Sequence, residues 1–276
     1  MLKILGEDVR AVSVGGLETC IELPGWGLNL DIGRCPPTAV RQRRVLLTHT
    51  HMDHAGAIAM HASTRGLMGM PPAIVYVPRE NEEDLRALFD VWRRLDKSDV
   101  PCEIVPCGPG DRVPLGGKRV AVPFRSPHRV RCQGYALVAT RSRLLPDLAG
   151  RPQEEIRRRR HAGEVVSEDV DVVELAFTGD TLVEVIEREP LVRQARRLVI
   201  EVTFLDDRVP VEAARAKGHV HLDEIVARAD LLTNEALLFT HFSARYQAEE
   251  IVRILDEKLP AGLRARVTPL LPGSRG

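Results

Sequence analysis

VLLTHTHMDHAG, residues 45–56, is the stretch from which the rest of the chain can be read. A short run rich in Val and Leu stops abruptly, and four potential metal ligands follow within six positions: His49, His51, Asp53 and His54. Such a run suits a strand buried on both faces, which leaves the residues past its end at the rim of a sheet. In extended chain alternate side chains point the same way, so His49, His51 and Asp53 are expected to face one pocket. His54 opens a small-residue stretch that can turn helical and aim its side chain back at the same place. Imidazole nitrogens and carboxylate oxygens are ligands that zinc favours. Burying four of them with no cation or solvent to satisfy them is costly, which argues against a chance cluster. Once further ligands join, the set exceeds one tetrahedral site, and two metals sharing one cleft are expected.

The same pattern recurs along the chain. Apolar runs hand over to His128 after residues 118–124, to Asp180 after VDVVELAF (170–177), and to His241 after ALLFT (236–240). Strands with helices between them, each delivering a polar group to one rim, describe a mixed α/β sandwich with its site along one edge. The seven ligands divide into His49, His51 and His128 for one metal and Asp53, His54 and His241 for the other, with Asp180 bridging. Such a pair acidifies a shared water from about 15.7 toward 7 and clamps both oxygens of a displacement. Asp53 is also placed to accept a hydrogen bond from that water.

Elsewhere, residues 9–32 read as paired strands broken by glycine turns, and AIVYVP (73–78) as a further strand. From Glu80 to Leu95, Leu85, Leu88, Phe89, Trp92 and Leu95 recur at helical spacing and are expected to pack against the sheet. Strands are expected at 102–107, 118–124 and 135–140, followed by a charged connector with one short helix. RRLVIEVTF (196–204) is another buried strand, and Gln247–Leu259 an amphipathic helix. His219 and His221 alternate around Val220, so both are expected to point one way, supporting the ligands or lining the substrate pocket, with a third metal the less favoured reading. His61 is assigned to structure and His161, in an Arg-rich run, to solvent. With no internal repeat and no Gly/Ser linker, residues 1–276 form one domain.

Composition narrows the partners. Lys plus Arg and Asp plus Glu each number 39, so any RNA-binding charge must be concentrated on one face. No run approaches the roughly 18 apolar residues of a membrane span, which argues against a membrane partner. The first sixteen residues do not read as a secretory leader, and five scattered cysteines without a CxxC pair point to reduced thiols and an expected cytoplasmic location.

THTHMDHAG (48–56) resembles the His-x-His-x-Asp-His signature of the metallo-β-lactamase superfamily. Within it, HRVRCQGY, AFTGDT and THFSARY resemble the tRNase Z (ribonuclease Z) family, and GLETC, LDIGRCP, STRGL, EVTFLDD and GHVHLDEI its short plant-type branch. The resemblance implies an αβ/βα four-layer sandwich, two zinc ions (manganese being the alternative) and a homodimer. It also implies removal of the 3′ trailer from precursor tRNA, leaving a 3′-hydroxyl. The ligand positions it implies divide as above, with Asp180 serving both metals.

Two departures from that family are visible. A His-Glu-Ala-Thr motif, whose His is thought to assist the leaving oxygen, is here Ile200-Glu201-Val202-Thr203. A general acid contributes about 10² to 10⁴ in rate, and His219, with Glu201, is expected to replace it. The tRNA-gripping insertion is also reduced. Residues 141–164 hold seven arginines against four acidic residues, and Arg157, Arg158, Arg159 and Arg160 are the candidate phosphate contacts, alongside His221 as a substrate residue. The same run also fits a solvated helix face. Two other functions stay open from the sequence: a phosphodiesterase acting on small or cyclic esters, and an RNA-binding protein without turnover. The last conflicts with a ligand set that includes a bridging carboxylate.

Overall fold

Alternating and fully apolar runs, punctuated by glycine turns, commit much of the chain to strands. The structure, a computed structural model, describes residues 2–4 and 6–273. One sheet is built in chain order from β1 (Leu2–Ile4), β2 (Glu7–Val14), β3 (Glu18–Leu23), β4 (Leu28–Leu30), β5 (Arg44–Leu46), β6 (Ala73–Pro78) and β7 (Cys102–Cys107). The other holds β8 (Val113–Pro114), β9 (Arg119–Ser126), β10 (Cys132–Leu144), β11 (Ser167–Phe177), β12 (Arg197–Glu201), β13 (Ala236–Thr240) and β14 (Val267–Pro269). In each sheet the first four strands pair antiparallel and the last four parallel. The two halves therefore repeat one strand scheme, although no sequence repeat announces it.

Three apolar layers hold the sandwich together. Between the sheets, Ile21, Leu23, Leu30 and Leu46 belong to one buried cluster with Tyr135, Leu137, Leu175 and Leu238. Outside the first sheet, Ala62, Leu85 and Phe89 from the helices Ile58–Leu67 and Glu82–Asp96 cover Val45, Leu47, Val75 and Val77. Outside the second, Ile225, Ile251, Ile254 and Leu255 from the helices Leu222–Val226 and Ala248–Lys258 cover Leu198, Ile200, Leu237 and Phe239. Each such side chain contributes about 1.5–3 kcal/mol on burial. The result is the four-layer α/β sandwich expected from the sequence.

Two expectations need correction. In the helix Glu82–Asp96 only Leu85 and Phe89 are buried, whereas Leu88, Trp92 and Leu95 are 45%, 45% and 69% exposed. The apolar spacing forms two stripes, and the sheet covers one. The charged connector is also more ordered than its polarity suggests. β10 runs to Leu144 and β11 starts at Ser167, so the two pair as a long hairpin. There cross-strand ion pairs replace apolar packing: Arg143 sits opposite Glu168 at 2.7 Å, and Lys118 reaches Asp169 at 2.5 Å.

His61 is structural, as expected. Its fully buried ring donates from Nε2 to the carbonyls of Gln42 at 3.0 Å and Ala39 at 3.3 Å, tying its helix to the turn Ala39–Arg41. Burial pushes the imidazole down to about 4. The neutral ring is therefore the folded form, and its stabilisation is complete above the unfolded value of about 6.5 and lost as pH falls toward 4. The shift is worth about 3 kcal/mol. Denaturant titrations should show a slope in this window that is absent from His61→Gln.

Candidate metal centre

The C-terminal ends of β4, β5, β11, β12 and β13 meet at one rim and deliver Asp31, His49, Asp180, Glu201 and His241 there. Local backbone makes the approach possible. Asp31 and His241 hold positive φ values of 58° and 62°, each immediately past a strand. Gly33 backs onto the Asp53 carbonyl so closely that a Cβ would lie 1.7 Å from that oxygen. Gly179, at φ 60°, is packed on Thr48, 2.8 Å from where its Cβ would stand. A substitution at either position must displace the ligand loops.

Beyond β5 the chain stays extended only as far as His51, because a helical turn begins at Met52. His49 and His51 thus share a pocket as alternation requires. Asp53 and His54 leave it, since both lie on the helical turn and reach the opposite group. One ligand atom from each of His49, His51, His128 and Asp180 lies within 4.8 Å of the others, and Asp53, His54 and His241 form a second such group. Asp180, which is 2% exposed, stands between them. Its Oδ2 lies 3.8 Å from His49 Nε2 and 4.0 Å from His128 Nε2. Its Oδ1 lies 3.3 Å from His54 Nε2 and 3.5 Å from His241 Nε2. One carboxylate divides its oxygens between the two groups.

The outer nitrogens of four imidazoles are held by protein. His54 Nδ1 donates to Asp31 Oδ2 at 2.7 Å, and His128 Nδ1 to the Gly218 carbonyl at 2.8 Å. The Thr48 hydroxyl donates to Asp31 and so accepts from His49 Nδ1, 3.0 Å away. His241 Nδ1 meets Thr203 Oγ1 at 3.0 Å. Such partners fix the tautomer and leave Nε2 for a metal. The donor set fits two cations: His49 Nε2, His128 Nε2 and Asp180 Oδ1 are all buried without a hydrogen-bond partner. Burial holds His49, His51 and His128 below the ordinary histidine range, which is the neutral form that ligates. Burial also opposes charge on His54, but Asp180 and Asp31 outweigh it and hold that ring well above the usual range. Two cations bound here would supply Lewis acidity and an acidified water.

Beside the groups, His219 completes a third constellation with Asp180 and His241. Its Nδ1 donates to Glu201 Oε1 at 2.9 Å. Burial alone would lower this ring, but Glu201 and Asp180 raise it to about 9. Glu201 is buried and further held by Thr181 N at 2.8 Å, Thr203 Oγ1 at 2.5 Å and Val220 N at 3.3 Å. Asp53 Oδ2 accepts from Gly16 N at 2.8 Å and faces His241 Nε2 at 3.3 Å.

Two sequence-derived assignments sit elsewhere. His221 does not share a direction with His219, because it caps the helix Leu222–Val226. Its Nδ1 accepts from Asp223 N at 3.1 Å and its Nε2 faces the Asp206 carbonyl at 3.3 Å, so both ring nitrogens are engaged away from the centre. Arg157, Arg158, Arg159 and Arg160 lie on the helix Gln153–His161, at the tip of the β10–β11 hairpin. At about 3.4 Å per residue, that tip lies on the order of 40 Å from Cys132 at the metal end. Arg157, Arg158 and Arg160 are exposed there, while Arg159 pairs with Glu155 at 3.0 Å. Asp31, Thr48 and Thr203 were not singled out from the sequence. Asp31 had the same signal as Asp180, an acid at the end of an apolar run.

Comparison with known proteins places the chain in a family. The beta-lactamase superfamily domain matches residues 33–242. The chain is 37% identical to tRNase Z TRZ1 of Arabidopsis thaliana over 99% of its own length and 98% of that protein. It is 34% identical to the chloroplastic tRNase Z TRZ2 of the same plant, over 97% and 76%. Among solved structures, the short form of human tRNase Z superposes with a TM-score of 0.60 at 19% identity, covering 96% of each chain. The metallo-beta-lactamase fold protein YhfI of Bacillus subtilis gives 0.64 at 13%, over 95% and 94%. The chain belongs to the tRNase Z family of the beta-lactamase superfamily.

Proposed function

We propose that this protein is a zinc-dependent endoribonuclease that removes the 3′ trailer of precursor tRNA by hydrolysing one phosphodiester. The observation that carries the reading is the division of the Asp180 oxygens between two histidine groups, with His219 beside Asp180 and His241. Near full-length similarity to proteins named tRNase Z supports the substrate. In this reading His49, His51, His128 and Asp180 hold one zinc, and Asp53, His54, His241 and Asp180 the other. Asp53 takes a hydrogen bond from the attacking water. As the P–O3′ bond breaks, a proton passes from His219 Nε2 to the departing 3′ oxygen, while Glu201 holds the ring from Nδ1. Purified protein should shorten a 3′-extended precursor tRNA, and chelation should abolish this. Turnover of a small chromogenic diester without trailer removal would sink the tRNA assignment, and RNA binding without either reaction would sink the enzyme.

Precursor tRNA is large enough to meet both the centre and the distant arginine helix. We assign to Arg157, Arg158, Arg159 and Arg160 a sequence-independent grip on phosphates. Reversing their charges should weaken precursor binding and flatten its salt dependence; a filter-binding series from 50 to 200 mM salt, concentrations at which such contacts differ by orders of magnitude, checks both.

We also assign a homodimer, a single domain over residues 1–276 and a cytoplasmic location. No described helix is long and apolar enough to cross a membrane. Support for the dimer comes from the second stripe of the helix Glu82–Asp96. Trp92 lines two adjoining grooves, one with Met52 and Leu88 and the other with Met60, and these four apolar side chains are 40–80% exposed. Contiguous exposed apolar side chains mark interaction surfaces, and in this reading a second copy of the same face covers them by two-fold symmetry. Trp92→Glu should convert the dimer to a monomer in light scattering; a wild-type chain that is monomeric at micromolar concentration rules out this face.

A further inference from the structure

The hydroxyl of Thr203 lies between Glu201 and His241, and its proton can be donated only once. Glu201 Oε2 stands 2.5 Å away and, as a carboxylate, can only accept. The hydroxyl therefore accepts from His241 Nδ1, 3.0 Å on its other side. This order fixes the His241 proton on Nδ1 and leaves the Nε2 lone pair facing Asp53, 3.3 Å away, and Asp180, 3.5 Å away. His241 needs such a hold, because its backbone sits at φ 62° and its ring has no other Nδ1 partner among the described residues. On the other side of the centre, Thr48 stands in the same relation to Asp31 and His49. Each sheet thus contributes one buried carboxylate that grips one imidazole directly and a second through a threonine hydroxyl.

We propose that Thr203 is a positioning residue that sets the tautomer of His241 and thereby the affinity of one of the two metal positions. The inference rests on the two-metal reading above. Loss of such an outer partner costs about 10–100-fold in metal affinity. The loss should be confined to the Asp53–His54–His241 position, because His241 is the imidazole that the Thr203 hydroxyl hydrogen-bonds among the described residues.

Zinc binding by the full-length wild-type, Thr203→Val and Thr203→Ser proteins can be measured by competition with a chromophoric chelator. The wild-type chain is expected to bind two zinc ions. In Thr203→Val, which keeps the shape and removes the hydroxyl, one dissociation constant should rise by about 10–100-fold while the other holds. Thr203→Ser should restore it to within a few-fold. Unchanged affinities in the valine protein, or equal weakening of both positions, or a serine protein as weak as the valine one, would overturn the role of the hydroxyl. A wild-type chain that binds fewer than two zinc ions would overturn the two-metal reading and this inference with it. Far-ultraviolet circular dichroism of each variant separates a local loss from unfolding.

Discussion

Asp180→Asn is expected to lose both its second metal and nearly all trailer removal, the largest effect of any single change in this chain. The side chain is 2% exposed, and each of its oxygens faces a different pair of imidazole Nε2 atoms. Asparagine keeps the shape but has one oxygen. Its amide nitrogen must turn toward one pair, presenting hydrogens where those rings present lone pairs. Outer partners of a metal site cost about 10–100-fold when removed, and a group serving both positions should cost more than the top of that range. Single-turnover processing of a 3′-extended precursor tRNA, with zinc content measured in parallel, is the check. Two bound zinc ions and a rate within tenfold of wild type would mean that Asp180 does not join the metals.

The grouping of these side chains at one rim was legible in the sequence because several of them stand where an apolar run ends. This holds for His49, His128, Asp180 and His241, which come from four different strand ends separated by up to about two hundred positions. Asp31 obeys the same rule at the end of LNLD, yet an acid before Ile-Gly also reads as an ordinary turn, and only its contacts with His54 and Thr48 separate the two. The repeated strand scheme was not legible, because pairing direction is a property of tertiary contacts rather than of residue type. Trp92 shows a related limit: helical spacing reports that an apolar face exists, but not whether the covering surface belongs to the same chain. The outer halves of β10 and β11 were missed because both strands leave the covered layer there. Arg143–Glu168 and Arg112–Asp171 do the work that alternation would otherwise reveal. His221 failed for a simple reason: alternation applies only to extended chain, and the chain turns into a helix at that residue.

His219→Ala tests the chemistry rather than the metals. The ring stands beside Asp180 and His241 but belongs to neither of the two proposed ligand sets, and Glu201 holds its Nδ1 at 2.9 Å. Its replacement should leave zinc content near wild type and lower the single-turnover rate on precursor tRNA by about 10² to 10⁴, the range of a general acid. The leaving group distinguishes this role from a positioning one. A ribose 3′ oxygen needs a proton as its bond to phosphorus breaks, whereas a nitrophenolate departs as a stable anion. The variant should therefore be crippled on RNA and nearly unimpaired on a nitrophenyl phosphodiester. Glu201→Gln should show the same asymmetry more weakly, because the amide still holds the ring but no longer favours its charged form. A parallel loss on both esters would mean that His219 shapes the site without donating the proton. Unchanged processing of the tRNA would return the search to a water or to another residue in place of the His missing at Ile200.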